Sequence, residues 1–248
     1  MSQRASGEWG VAFTLCWATL AQKQKSLKGG LMVKHPAKFT DIILESVMPY
    51  LVNCPVVLDI FAGTGKVAKI KELGFSGKVY CNELESEWID KSYQVDKWTF
   101  TDSENLVYES NTIDCIFTSP TYGNRMADCH NAKDASKRIT YTHTLGRKLT
   151  NGNTGYMQWG ESYRDKHNLI YKEAIRVLKS NGLFIVNISN HIRKGVEVDV
   201  CKYHNDLLIS LGLIKEKEIL VNTPRMRRGS NYEKRVHYEK IFIFRKIS

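Results

Sequence analysis

Short apolar runs alternate along the chain with longer stretches in which apolar residues recur every three or four positions. Five of the short runs have the length and composition of buried strands and lie at 56–61, 77–84, 98–106, 112–122 and 183–189. The intervening stretches with a helical pattern lie at 66–74, 85–95, 162–182 and 197–212. This alternation predicts a doubly wound α/β fold with a mostly parallel sheet.

Both ends of the chain add elements to this core. The apolar first half of residues 7–25 predicts a helix, and a second helix is expected to begin near Thr40 or Asp41. Residues 213–247 contain two more strand-like runs joined by a basic loop. We therefore expect seven strands, the last two forming an antiparallel hairpin at the edge of the sheet.

The stretch at 123–160 does not follow either pattern. It is rich in glycine, asparagine, threonine and basic residues and has no clean periodicity. Stretches this long inside a compact domain are usually functional or disordered. We expect one domain spanning 1–248, with a helical segment at 1–54 and with 123–160 inserted as a recognition or lid loop.

A glycine-containing turn, here called the glycine loop (residues 61–65, FAGTG), follows the first predicted strand. Glycines at such a turn let a ligand approach the backbone closely. The loop lacks the Gly-Lys-Ser/Thr of a P-loop and the third glycine of the dinucleotide fingerprint. It therefore favours a ligand other than a nucleoside triphosphate or a dinucleotide.

Acidic side chains occur where the first three predicted strands end. Asp59 ends the first strand, Glu83 ends the second, and Asp102 follows the third, with Ser103 and Glu104 as rival positions. In an open parallel sheet, ligands bind at the carboxyl ends of the strands. A carboxylate at Glu83 can accept hydrogen bonds from ribose hydroxyls, and Asp102 is placed to reach an adenine amino group.

The segments LDIFAGTG, NEL, TDSENL and TSPTY, in this order, resemble the S-adenosylmethionine-dependent methyltransferases that modify amino groups of DNA bases. The resemblance implies a Rossmann-like methyltransferase fold, S-adenosylmethionine as cofactor and DNA as partner. In that family the glycine loop holds the methionine part, and acids after the second and third strands hold the ribose and adenine. The upstream segment KHPAKF resembles a further cofactor motif. The cofactor-binding residues implied are Lys38, Phe39, Asp59, Phe61, Gly63, Gly65, Glu83 and Asp102.

The last of these segments contains the SPTY loop (Ser119, Pro120, Thr121 and Tyr122), which ends the fourth predicted strand. An exocyclic amino group is a poor nucleophile, because its lone pair is delocalised into the base. Acceptors aimed at its N–H groups favour the positive charge that grows on nitrogen during methyl transfer. We expect Ser119 and a main-chain carbonyl at Ser119 or Pro120 to supply them, with Tyr122 stacking on a flipped base.

The identity of the base stays open. In the family that the chain resembles, a serine in this motif is typical of N4-cytosine enzymes, and Asp or Asn is typical of N6-adenine enzymes. Thr121 replaces the usual second proline, so a decayed nucleic-acid-binding module is one alternative. The continuation TYGNR resembles tRNA guanine-N2 methyltransferases, so RNA is another. We favour DNA methylation, of the kind found in restriction-modification systems, with N4-cytosine ahead of N6-adenine.

The balance of charge supports a polyanionic partner. The formal net charge is +10 and the isoelectric point is about 9.2. Lysines and arginines that contact phosphates release counterions, which favours nucleic-acid binding. The candidate phosphate-binding residues lie in the insertion and in the loop between the last two strands: Arg125, Arg138, Arg147, Lys148, Arg225, Arg227 and Arg228.

Other chemistries have little support in the sequence. No pair of the 6 cysteines has CxxC spacing, so neither a metal site nor a redox motif is expected. No cysteine follows a proline, and no serine lies in a GxSxG turn, which argues against covalent catalysis. Neither a membrane span nor a signal peptide is expected, and a reducing, cytoplasmic location is the default.

Overall fold

The computed structural model describes residues 35, 40–123, 140–223 and 235–247. The strands are β1 Val56–Asp59, β2 Lys78–Asn82, β3 Lys97–Thr99, β4 Ile113–Thr118, β5 Leu178–Ile188, β6 His191–Arg193, β7 Val196–Val198, β8 Leu213–Asn222 and β9 Tyr238–Lys246. The α-helices are α1 Asp41–Leu51, α2 Tyr141–Leu145, α3 Glu161–Val177 and α4 Val200–Ser210.

Seven of the strands form one sheet in the order β3-β2-β1-β4-β5-β9-β8, and β6 and β7 form a separate hairpin. The first five strands are parallel, whereas β9 runs antiparallel to both β5 and β8. The predicted seven-stranded α/β sheet with an antiparallel edge hairpin is therefore confirmed. The strand order reverses between β1 and β4, and this switch point is where open α/β sheets bind ligands.

Successive residues of β1 face opposite layers of the core. Val57 packs in one apolar cluster with α1, and Leu58 packs in a second cluster with α3 and α4. A strand covered on both sides explains the continuous apolar run that predicted it. Cys54, Cys81 and Cys115 are buried in this core, where a free cysteine acts as a small hydrophobic residue.

The helix predicted at 66–74 is a 3-10 helix, Lys66–Lys71. Residues three apart lie on the same side of such a helix. Lys66 and Lys69 can therefore both bind the Asp41 carboxylate, at 2.7 and 2.6 Å. These ion pairs join the segment after the glycine loop to the start of α1.

The helix predicted at 85–95 is wrong, because only a short 3-10 turn, Ser86–Trp88, forms there. The Asp90 carboxylate accepts hydrogen bonds from the N–H of Ser92 at 3.0 Å and from its hydroxyl at 2.7 Å. Side-chain bonds of this kind compete with helical backbone bonds. The spacing of the apolar residues, which predicted the helix, gives no information on this competition.

Several predictions lie outside the described residues, among them the helix at 7–25 and residues 124–139 of the insertion. Within the part of the chain that is described, no helix is both long and apolar enough to cross a membrane.

Candidate active site

Asp59 joins the glycine loop to the end of β4. Its Oδ1 accepts hydrogen bonds from the Thr118 hydroxyl at 2.6 Å and from the Phe61 N–H at 3.0 Å. Thr118 directly precedes the SPTY loop, so one carboxylate fixes the predicted cofactor turn and the predicted catalytic loop relative to each other. The two segments meet at the switch point between β1 and β4.

The environment of Asp59 strongly disfavours its charge. The residue is fully buried, and its Oδ2 has no hydrogen-bond partner among the described residues. Desolvation raises the pKa of Asp59 to about 7, against the opposing effect of the bonds from Thr118 and Phe61. A buried carboxyl that titrates near neutrality is characteristic of functional sites.

The glycine loop is held against Glu83, the acid that directly follows β2. Gly63 has φ of +52°, and its N–H donates to Glu83 Oε2 at 2.7 Å. The N–H of Glu85 donates to the other oxygen at 3.0 Å. Part of Glu83 faces solvent, but desolvation of its carboxyl still raises its pKa to about 7.

Two aromatic rings leave no room for side chains on the glycine loop. A Cβ on Gly63 would lie 3.2 Å from His35 Nε2, and a Cβ on Gly65 would lie 2.6 Å from Trp98. His35 also contacts the ring of Trp88 with centroids 4.8 Å apart. Sequence reasoning chose Lys38 and Phe39 as cofactor-binding residues. It missed His35, which belongs to the same KHPAKF segment.

Asp102 forms an ion pair with a lysine of α3 and accepts a hydrogen bond within its own turn. Lys166 Nζ lies 2.6 Å from its Oδ2, and the Glu104 N–H donates to its Oδ1 at 3.2 Å. Gly152 packs so closely that a Cβ there would lie 2.1 Å from Oδ2. The adenine contact expected of Asp102 stays a prediction, and the rival Ser103 is buried with its hydroxyl donating to the Ile60 carbonyl.

The SPTY loop ends β4 beside a polar cluster from β5 and β9. Ser119 Oγ lies 3.4 Å from the Tyr122 hydroxyl and 3.4 Å from Asn187 Nδ2. Asn187 also donates to Glu239 Oε2 at 2.6 Å, and the Tyr122 hydroxyl donates to the same oxygen at 3.5 Å. Pro120 is buried.

Asn187 and Glu239 were missed by sequence reasoning. Both are buried, and the structure brings them to the predicted catalytic serine. Each had a local signal, because Asn187 interrupts the apolar run of β5 and Glu239 precedes the apolar run of β9. A polar residue in a buried strand needs a hydrogen-bond partner and is therefore a candidate for a site.

Thr121 is fixed by a chain of buried hydrogen bonds. The Tyr163 hydroxyl donates to the Thr121 carbonyl at 2.5 Å and lies 2.8 Å from His204 Nε2. His204 Nδ1 lies 2.6 Å from the Tyr171 hydroxyl. Since Tyr163 gives its hydrogen to Thr121, His204 must donate from Nε2 and accept at Nδ1. These bonds brace the loop at the position where the related motif has a second proline.

Burial keeps the histidines behind the SPTY loop neutral. Desolvation lowers the pKa of His204 well below its usual value and lowers that of His167 to about 4. The chain through His204 requires the neutral ring, because a protonated ring has no acceptor for Tyr171. The network is therefore intact at neutral pH.

The described end of the insertion is anchored by Glu85. This fully buried carboxylate accepts from Arg147 at 2.6 Å, from the Thr150 N–H at 2.6 Å and from Asn153 at 3.0 Å. Arg147 also binds Glu87. The structure thus places Arg147, a predicted phosphate ligand, in internal ion pairs.

The other predicted nucleic-acid residues are divided between the surface and the undescribed segments. Lys148 is exposed beside this anchor. The remaining predicted residues lie outside the described part of the chain: Lys38, Phe39, Arg125, Arg138, Arg225, Arg227 and Arg228. Their contacts stay predictions.

Comparison with solved structures gives matches over most of the chain at low identity. A chain from the complex between the Haloferax volcanii Trm112 methyltransferase activator and a proposed methyltransferase has a TM-score of 0.53 and 9% identity, covering 94% of this chain and 96% of that chain. An S-adenosylmethionine-dependent methyltransferase from Methanosarcina mazei has a TM-score of 0.52 and 11% identity, covering 85% and 99%. The cyclase SpnF has a TM-score of 0.53 and 14% identity, covering 84% and 80%.

No protein-family model and no curated protein sequence matches the chain. The cyclase among the structural matches illustrates that a fold can host more than one reaction, so the reaction has to be argued from the site. The topology and the matches agree on architecture, and the chain has the Rossmann-like fold of the S-adenosylmethionine-dependent methyltransferases.

Proposed function

We propose that the protein transfers a methyl group from S-adenosylmethionine to an exocyclic amino group of a base in DNA. The observation that carries the proposal is the double hydrogen bond of Asp59, which joins the glycine loop to the strand that ends in the SPTY loop. A cofactor on the first and an amino group on the second would meet at one edge of the sheet. Methyltransferases among the structural matches support the choice of cofactor.

The residues around the glycine loop fit this cofactor. Gly63 and Gly65 both have positive φ, at +52° and +81°, a conformation that glycine adopts readily and that makes the tight turn a cofactor can approach. Glu83 directly follows β2 and part of the residue is open to solvent, as a ribose acceptor requires. The bound cofactor supplies an electrophilic methyl on sulfonium, and the protein holds it and aligns the acceptor.

The SPTY loop suits an amino nucleophile. Ser119 is half-exposed, so its oxygen can accept a hydrogen bond from a substrate N–H. Tyr122 is half-buried beside it, and we expect its ring to stack on a base. The net charge of +10 favours a polyanion as the substrate. We favour cytosine N4 over adenine N6 because the motif begins with serine.

Methyl transfer from labelled S-adenosylmethionine to DNA, tRNA and protein tests the proposal, followed by mass spectrometry of the nucleosides. We expect label in DNA. Tyr122→Ala should abolish transfer while leaving cofactor affinity in calorimetry nearly unchanged, because its ring is expected to hold the base and not the cofactor. Glu83→Ala should weaken cofactor binding, because it removes the ribose acceptor.

Three results would contradict the proposal in different ways. Label in tRNA guanine would favour the RNA enzyme that TYGNR resembles. Cofactor binding without transfer to any acceptor would favour a decayed binding module. Full activity of Tyr122→Ala would exclude the stacking role.

A further inference from the structure

Glu239 is a buried carboxylate connected to the predicted catalytic serine. It lies on β9, is 5% exposed, and accepts hydrogen bonds at Oε2 from Asn187 and Tyr122. Both donors also lie 3.4 Å from Ser119 Oγ. Glu239 Oε2 is therefore two hydrogen bonds away from Ser119 Oγ by way of Tyr122, and a carboxylate at the end of such a path can take up a proton.

Counting hydrogens fixes the direction of these bonds. The two N–H groups of Asn187 serve Ser119 and Glu239, and the Tyr122 hydroxyl gives its only hydrogen to Glu239. The contact between Ser119 and Tyr122 then requires the serine hydroxyl to donate. Ser119 Oγ has two lone pairs, one of which takes the Asn187 hydrogen. The second is left to accept a substrate N–H.

We propose that Glu239 is the terminal proton acceptor of methyl transfer, reached through Ser119 and Tyr122. The inference rests on the proposed function and extends it, because it assigns the proton that an amino group must lose. Tyr122 thereby has two separate tasks, since its ring stacks on the base and its hydroxyl carries a proton. Asn187 is a positioning residue that holds Ser119 and Glu239 at the two ends of the relay.

The step balances in atoms and charge. The nitrogen lone pair forms a bond to the methyl carbon while the carbon–sulfur bond breaks, and its electron pair stays on sulfur as a neutral thioether. The nitrogen loses a proton to Ser119, Ser119 passes its own proton to Tyr122, and Tyr122 passes its proton to Glu239. A sulfonium cation and a carboxylate anion are consumed, and a thioether and a carboxylic acid are formed.

The contact of 3.5 Å between Tyr122 and Glu239 and that of 3.4 Å between Ser119 and Tyr122 are long for hydrogen bonds. Catalytic hydrogen bonds are often long without substrate and shorten in the reactive complex. The relay is therefore expected to close when the substrate binds.

Steady-state kinetics of Glu239→Gln, Tyr122→Phe and the double variant test the relay. Glutamine keeps the shape of glutamate but is not a proton acceptor, and phenylalanine keeps the stacking ring without the hydroxyl. We expect each single variant to lower kcat about 100-fold or more, with KM and calorimetric cofactor affinity near wild type. The double variant should lose no more than either single variant, because both interrupt one path.

Glu218→Gln is the matched control, since Glu218 is an exposed glutamate of the neighbouring β8 strand that pairs with Lys240. It should keep the wild-type kcat. Wild-type kcat in Tyr122→Phe and Glu239→Gln, or losses that multiply in the double variant, would overturn the relay and leave the proposed function standing. A wild-type protein that methylates no nucleic acid would overturn both.

Discussion

Replacing Asp59 by asparagine is expected to change how the stability of the protein depends on pH. Asp59 is fully buried, and its pKa rises from 3.8 to about 7 on folding. Between these two values the folded state keeps a proton that the unfolded chain releases. The free energy of unfolding contributed by Asp59 is therefore present in full at low pH and falls as the pH rises through this window.

The magnitude follows from the width of the window. Each pH unit within it costs the folded protein about 1.4 kcal/mol, so from pH 5 to pH 8 the wild type loses about 3 kcal/mol at Asp59. Asparagine does not ionise and keeps an oxygen for Thr118 and Phe61. Its amide N–H groups, placed where Oδ2 has no partner, cost about 1–3 kcal/mol at every pH. We expect the variant to gain about 3 kcal/mol on the wild type between pH 5 and pH 8 and to be the more stable protein at pH 8.

Urea unfolding of both proteins at several pH values measures this difference. Subtracting the two curves removes other titrating groups, among them His167 and His204, whose lowered pKa values act in the opposite direction. Asp165→Asn, at an exposed position of α3, should give a curve parallel to wild type. A difference between Asp59→Asn and wild type that stays constant from pH 5 to pH 8 would refute the reasoning.

Two further substitutions test the bracing of the site. Tyr163→Phe should lower the free energy of unfolding, measured in urea, by about 2–5 kcal/mol, because it leaves the Thr121 carbonyl and His204 Nε2 unpaired. It should also lower kcat. Unchanged stability would contradict the assigned bonds. Glu85→Gln should cost about 2–3 kcal/mol, since an amide cannot accept from every donor of residues 147–153. Hydrogen exchange should then quicken in that segment, and unaltered protection there would exclude its anchoring by Glu85.

Local patterns predicted the parts of the fold that local physics decides. The apolar runs predicted the central strands β1, β4 and β5 because both faces of those strands are buried. The glycine loop, Asp59 and Glu83 lie together as expected, because strand ends in a parallel sheet share one edge, and their roles stay predictions. The helix expected at 85–95 failed because the Asp90 side chain takes the N–H of Ser92.

The polar cluster could not be assembled from the sequence in the same way. Asn187 and Glu239 are 52 positions apart and meet across the pairing of β5 with β9, and Glu239 is 117 positions from Tyr122. Nothing in a local window specifies that pairing. The buried asparagine in an apolar strand indicated that some partner existed, but only the topology identified it.

The insertion begins and ends at the same point of the molecule. The Trp159 N–H donates to the Gly123 carbonyl at 2.8 Å, and a Cβ on Gly123 would lie 2.8 Å from that nitrogen. A segment whose ends are joined can change in length at little cost in closure entropy. Insertions or deletions between Gly123 and Trp159 are therefore expected to leave the parallel sheet and its strand ends in place.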